Sequence, residues 1–529
     1  MSRASFLFRA LLALGFLVGF YLVTIALSLA LFVFPVALAI GAHYFSTWLL
    51  LAFAICWVPA VLLLTGVFGV RPRPFTAPGP RLERTDAPEL FALIDALAAR
   101  AETAPPVHVH LSPRPDLAVT ETGGLFGGKR VLIIGLPLLE MITVQELSAG
   151  LAHELGHFAG GDTRLGGVLA YTTATFAAVF HAVQRGAFRQ GTSHVSIELG
   201  FAVAKGVGEL LTKAYAGLYF RVMSASSRRQ ELAADALAAR LAGRAATLRL
   251  LDKAAHVHPT YDLYLRGDVG FAVTAGAMPT DLLPGYRAFL ASFQASPLAV
   301  LLAEKQRAAK TSAFDSHPAH TVRVEKLRAL PEAPAADDMR PATALLAEPG
   351  TWQSWLLDAT VSAFGTERSL TRLPWAEIPS SVYLPLLKER ARKLAAQLFA
   401  LFPEATTVAA MFVAVVHAFE RGESERVVAA VVPDLGRAAP AERASAVSQL
   451  GGIVLGTLFE GALVERGGTV ETSFGAPSLV VQFEGERIPA AKIARDAMGN
   501  DGARAMLATW ASRVASARVT SEPLARLEG

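Results

Sequence analysis

Residues Thr143–Phe158 read TVQELSAGLAHELGHF, and the rest of the chain must be built around them. Thr143 and Glu146 stand in the spacing of a capping box, which predicts a helix beginning just after Thr143. Gly160–Gly161 would end it. On that helix His153 and His157 lie one turn apart on one face, where two imidazoles can share a metal ion. Glu154 sits beside them, placed to reach a metal-bound water. A lone HExxH is only moderately specific, and two surface histidines are its plainer reading. The setting argues against that reading. Leu147–Phe158 is mainly apolar, and such a face has no inexpensive way to bury His, Glu and His without a metal.

Two histidines leave a catalytic zinc one protein ligand short. A third histidine six residues on is ruled out, because that position is Thr163. Downstream, SRRQELAADALAAR (227–240) places Glu231 and Asp235 on one helical face. Glu231 is the ligand candidate. Asp235, a turn later, is placed to orient a ligand histidine, and Asp162 is a second candidate for that task. A solvated acidic residue is the ordinary reading of either alone. The pairing with HELGH inside an Ala-rich helix favours the site.

Working outward, the chain has 529 residues, enough for two or three folding units. Its hydrophobic fraction is 53%, only 18% is charged, and the mean hydropathy is +0.40. Soluble domains are nearer about 25% charged, so membrane segments are expected. Ala10–Ala42 and Trp48–Val70 carry no charge and predict a transmembrane hairpin, with Pro35 marking the end of the first run. Arg3 and Arg9 precede the hairpin; Arg71, Arg73, Arg81 and Arg84 follow it. The turn between has no Lys or Arg, so both ends face the cytoplasm. Net charge is +4, with no basic stripe or aromatic RNA-binding motif, which excludes a nucleic-acid partner. The single Cys56 excludes an internal disulfide framework.

Val107–Leu111 and Lys129–Gly135 read as strands, and the second could pair with an extended substrate. The apolar insert 165–220 divides in two. Leu165–Gln184 is uncharged and long enough to span. Val195–Phe220 carries Glu198, Lys205, Glu209 and Lys213, the last three in one stripe with ion-pair spacing, which predicts an amphipathic helix facing water, a cavity or the membrane interface. Since residues 157 and 231 must end on one side of the membrane, the insert crosses twice or not at all. Pro331–Pro341 reads as a linker. Thr469–Phe474 and Ser478–Phe483 alternate like a strand pair.

HELGH, a long hydrophobic insert and SRRQELAAD together resemble the HtpX and CAAX-prenyl-protease family of membrane zinc peptidases. The resemblance continues in GKRVLIIGLPLLEMITVQELSAGLAHELGH (128–157) and in DSHPAHTVRVEKL (315–327). It covers residues 5–330 or so. It implies a gluzincin with Glu231 as third ligand to one zinc ion per chain. It also implies that His317 and Arg323 contact substrate or the oxyanion. One departure stands at Arg114–Ala118, where the family often has an Asn-Ala pair before its edge strand.

The expected architecture is a mainly α membrane protein. A hairpin (1–70) is followed by an α+β zincin domain (71–330), a linker (331–349) and a mostly helical C-terminal domain (350–529) of unread role. The expected function is a membrane-bound endopeptidase with a zinc-activated water and Glu154 as general base. Its substrates would be polypeptides, membrane proteins above all. The setting would be quality control in a bacterial inner membrane, with the catalytic domain in the cytoplasm. The competing class is a membrane scaffold or sensor that keeps a zinc fold and binds a partner through 350–529. A zinc transporter would need ligands on several spans, and the hairpin has none apart from His43 at its edge.

Overall fold

The computed structural model describes residues 3–42, 47–68, 75–122, 128–158, 171–176, 178, 195–294, 299, 301, 304–305, 308, 317–333, 337–365, 369–432, 435, 439–475 and 479–517. These are mostly helical. The chain divides into two compact units, Met1–His258 with Leu301–Trp352, and Pro259–Val300 with Gln353–Gly529. By contacts, residues 259–300 pack with the C-terminal unit.

The first unit opens with helices α1 (Arg3–Ala42) and α2 (Thr47–Phe68). They run antiparallel. Trp57 Nε1 donates to the Phe32 carbonyl at 3.1 Å, and Tyr21 meets Phe68 with ring centroids 4.8 Å apart. Both are long and apolar enough to cross a membrane. Helix α1 does not end at Pro35, and α2 likewise contains Pro59. A proline removes one backbone donor and can kink a helix, yet apolar spanning helices tolerate it where neighbouring groups re-satisfy the backbone.

A four-stranded sheet follows, built from β1 (Arg81–Leu82), β2 (His108–Ser112), β3 (Leu117–Thr122) and β4 (Lys129–Gly135) in the order β1-β2-β4-β3. Strand β4 pairs parallel with β2 and antiparallel with β3. Both its edges are therefore occupied, which overturns the expectation that Lys129–Ile134 could receive a substrate strand. The edge strands are β1 and β3, and β3 is the one beside β4. Strand β3 gives no sequence signal. Its residues are all half-buried, so it lacks the alternation that marks a strand in sequence.

Helix α3 spans Val144–Gly156, and its capping box is complete. The Glu146 N–H donates to the Thr143 hydroxyl at 3.2 Å, and the Thr143 N–H to Glu146 Oε2 at 3.0 Å. Buried Glu146 also pairs with Arg249 at 3.1 Å and Lys253 at 2.7 Å. The segment expected as a linker is tied here: the carbonyls of Arg340 and Asp338 accept from the N–H groups of Val144 and Gln145 at 2.9 and 3.0 Å. They satisfy first-turn donors that a helix leaves unpaired.

Helix α4 (Val195–Ala242) is 48 residues long and runs unbroken from the apolar insert to the second motif. Gly156 is where it meets α3. A Cβ there would stand 3.1 Å from the Ala234 Cα and 3.2 Å from Leu237 Cδ2, so any larger residue would push the two helices apart by a few tenths of an ångström. Gly243, at φ +94°, turns the chain into α5 (Arg244–Tyr264). A short helix α6 (His320–Arg328) carries the third motif.

The second unit contains helices α7 (Leu384–Leu398), α8 (Val408–Glu420) and α9 (Pro440–Glu465). The expected pair near 469–483 is present as β7 (Thr469–Glu471) and β8 (Val480–Phe483), extended by β9 (Glu486–Ile488). Two further strands, β5 (Ala277–Pro279) and β6 (Thr371–Leu373), pair in parallel and join residues on either side of the first unit's second segment. Helix α9 also has the length and composition of a span. However, 72% of its apolar window is buried within the fold, against 17% in α1 and 28% in α2. It is built as a core helix.

Candidate metal centre

Each site residue is set by an element just described. His153 and Glu154 lie in the last turn of α3 and His157 caps it. Their donor atoms all fall within 4.8 Å of one another. The crossing at Gly156 brings Glu231 of α4 up to the histidines. Its Oε2 lies 3.6 Å from His153 Nε2, and its Oε1 3.4 Å from His157 Nε2. Asp235, one turn on, sits 3.0 Å from His153 Nδ1. With a proton on Nδ1 bonded to Asp235, the Nε2 lone pair of His153 is left facing Glu231.

Arg323 closes the back of the site. Its Nε and Nη2 donate to the two Asp235 oxygens at 2.8 and 2.7 Å, and Nη1 lies 3.7 Å from Glu231. Arg323, expected to contact substrate or the oxyanion, lines the pocket beside the site while its Nε and Nη2 are engaged by Asp235. His317 is the more exposed partner, with Nδ1 2.9 Å from Glu231 Oε2. Asp162 lies outside the described residues.

Glu154 points to the edge strand instead. Its Oε2 accepts the Val119 N–H at 3.1 Å. This contact fixes the carboxylate between α3 and the free edge of β3. The sequence did not signal it, since backbone donors leave no trace in residue type.

Burial alone would raise every carboxyl here, and the neighbours decide the outcome. Burial does raise Glu154; the charge of His153 and the Val119 N–H oppose it without cancelling it, and Glu231 adds to the rise. Glu231 is held low against burial by His317, His153 and His157. Asp235 is held down to about 2 against burial by its bonds to Arg323 and His153. His157 is pushed down to about 4 by burial and by the adjacent His153. A low-pKa imidazole is neutral at pH 7, the form that binds metals.

The donor set fits a zinc ion. Two neutral imidazoles and a carboxylate are a known catalytic zinc set. The separations of 3.4 and 3.6 Å are too long for good hydrogen bonds. They approach the edge of about 3.3 Å for a tetrahedron with bonds of about 2.0–2.1 Å. Oε2 of Glu231 is buried and no donor meets it at hydrogen-bond angles, although Nδ1 of His317 stands close. Glu154 also lies within reach of the histidines. Its oxygen already holds the Val119 N–H, whereas both Glu231 oxygens face imidazole nitrogens.

A pocket of about 230 Å³ opens beside this cluster, lined on its apolar side by Leu117, Leu250, Leu251 and Val257.

Residues 86–331 match the model of peptidase family M48. Protease HtpX homolog 1 of Streptomyces coelicolor is 33% identical over 217 residues, which cover 38% of this chain and 66% of that relative. Protease HtpX of Thioalkalivibrio sulfidiphilus is 28% identical over 159 residues, covering 29% of this chain and 51% of the relative. The chain thus spans between half and two thirds of the curated relatives it matches. The matched span contains both histidines of HELGH, Glu154, Glu231 and the His317–Arg323 segment, and residues 86–331 form a peptidase family M48 domain.

Proposed function

We propose that the protein is a membrane-bound zinc endopeptidase. The observation that carries this reading is the convergence of His153, His157 and Glu231, with Glu154 beside them and tied to an open strand edge. A zinc ion held by those three side chains, one per chain, would supply Lewis acidity to a peptide carbonyl and to water.

The chain's own residues do the rest. Glu154 takes a proton from the attacking water and passes it to the leaving amine; its raised pKa suits both halves of that task. Asp235 fixes the tautomer of His153, and Arg323 fixes Asp235. His317, half-exposed beside Glu231, is placed to steady negative charge on the substrate oxygen. The free edge of β3 is where an extended substrate would pair, beside Glu154. The substrates are membrane proteins and the role is quality control. A membrane setting is supported by the apolar pair α1 and α2, and a cytoplasmic catalytic region by arginines at both ends of the pair with none in the turn; the membrane would be a bacterial inner membrane.

Chelation tests the reading. Protein in liposomes should lose casein cleavage on treatment with phenanthroline and regain it with added zinc. Cleavage that survives removal of measured zinc would refute it.

A further inference from the structure

Helix α4 carries charge where its neighbours carry none. Its Tyr215 and Tyr219 pack on α1: Phe20 meets Tyr215 with centroids 5.4 Å apart, and Phe16 meets Tyr219 at 5.8 Å. The pairing falls on one helix as it rises on the other, so α4 runs antiparallel to α1 and parallel to α2. Leu62 of α2 joins the same apolar cluster. At equal rise per residue, Lys213, Glu209 and Lys205 stand level with roughly residues 22, 26 and 30 of α1. The apolar window of α1 is Leu11–Gly41. Glu209 therefore lies level with its middle, about 15 Å from either surface of a bilayer core centred there, and Lys205 and Lys213 lie about 6 Å to either side of it, roughly 9 Å from the nearer surface. A lysine stem that snorkels from there reaches only part of the way to water.

The three side chains form one stripe. Lys213 Nζ donates to Glu209 at 2.9 Å, and Lys205 Nζ is 4.0 Å from the same carboxylate. Both lysine side chains are more than half exposed, at 59% and 54%. Among the described side chains of the stripe, one carboxylate stands between two ammonium groups, which leaves these three with a net positive charge, and Lys205 is the weaker partner. Charged side chains at this depth are costly and mark function by default.

We propose that this stripe is an intramembrane recognition site for a transmembrane helix bearing an unpaired acidic side chain. That is the mark of a membrane protein separated from its partner subunit. An acidic group at mid-bilayer would complete the pairing of Lys205 and remove both lone charges from lipid. The stripe and Glu231 share one unbroken helix, with Glu231 roughly 24 Å beyond Tyr215 along the axis. A client held at the stripe thus has its flanking segment near the metal centre. This substrate class rests on the peptidase reading.

The test measures binding apart from cleavage. Full-length Glu154→Gln protein is reconstituted in liposomes with labelled single-span reporters that differ in one central residue, Asp or Leu. Energy transfer reports their association. The Asp reporter should associate about tenfold more tightly than the Leu reporter. The triple variant Lys205→Leu, Glu209→Leu, Lys213→Leu should abolish that preference. Introduced into active protein, the same triple change should leave casein cleavage unaltered. A preference that persists in the triple variant overturns the proposal, as does no preference with the stripe intact. Self-association that depends on the stripe, without reporter preference, would make it an interface between copies and overturn the proposal too. Failure of casein cleavage alone would strike the peptidase reading and leave the binding result standing.

Discussion

Asp235 and Asp268 are two aspartates withdrawn from water, one in each unit, and they behave oppositely. Asp235 is held down to about 2, while Asp268 is pushed up to about 6. Burial acts upward on both. Asp235 meets a guanidinium fork and an imidazole; Asp268 has backbone donors, including the Gly475 N–H at 3.1 Å, and no cation among the described residues pairs with it. What surrounds a buried carboxylate, rather than burial itself, decides whether it stays charged. The first unit collects cations around its acids, as a metal site requires. The second unit surrounds its acid with Tyr264 and Tyr383.

The comparison breaks most sharply at Arg323. Arg323→Met would strip Asp235 of its guanidinium partner and leave it only the imidazole of His153. Loss of one partner from a buried pair costs about 3–5 kcal/mol. Urea unfolding of the first unit should shift by that order in metal-free protein, and an unchanged midpoint would show that the fork is ornamental. Asp235→Asn is gentler. It keeps a partner for His153 but removes the charge, so zinc affinity should fall about 10–100-fold. Competition with a fluorescent chelator reads this directly.

Asp268→Asn is the smallest effect and has the opposite sign. A carboxyl whose folded pKa lies above its unfolded value is a burden where it is charged, above about pH 6. The burden lifts as pH falls from about 6 toward 3.8. At pH 8 the substitution should therefore stabilise the second unit by about 1 kcal/mol, after discounting for solvent screening. At pH 4 the gain should vanish. A gain that is the same at both pH values would mean that the titration of Asp268 is not its source. Asp235 runs the other way: it contributes stability above about pH 4 that is lost as pH falls through about 2.

These contrasts also explain what could be read from residues alone. The HELGH helix and its cap were legible because both depend on spacings of three or four residues. Glu231 and Asp235 were legible because HELGH called for a third ligand and one helical face offered it. The pairing of Arg323 with Asp235 was not legible, since which carboxylate a guanidinium engages is a matter of tertiary approach. Strand β3 was missed because an edge strand half-buried on both faces shows no alternation. The tie between Asp338–Pro341 and α3 was hidden because it runs through backbone carbonyls. The reach of α4 was hidden by its charges, which interrupt the apolar run that would have marked a single long helix.

The central claim is that His153, His157 and Glu231 hold zinc and that Glu154 moves the proton. It is tested most directly by measuring zinc content and casein cleavage of purified protein, wild type beside Glu154→Gln. The account predicts about one zinc per chain in both, since Glu154 is not a ligand. It also predicts that cleavage in the variant falls by about 10²–10⁴-fold. Absence of bound zinc after zinc is supplied, or cleavage by Glu154→Gln at the wild-type rate, would contradict it.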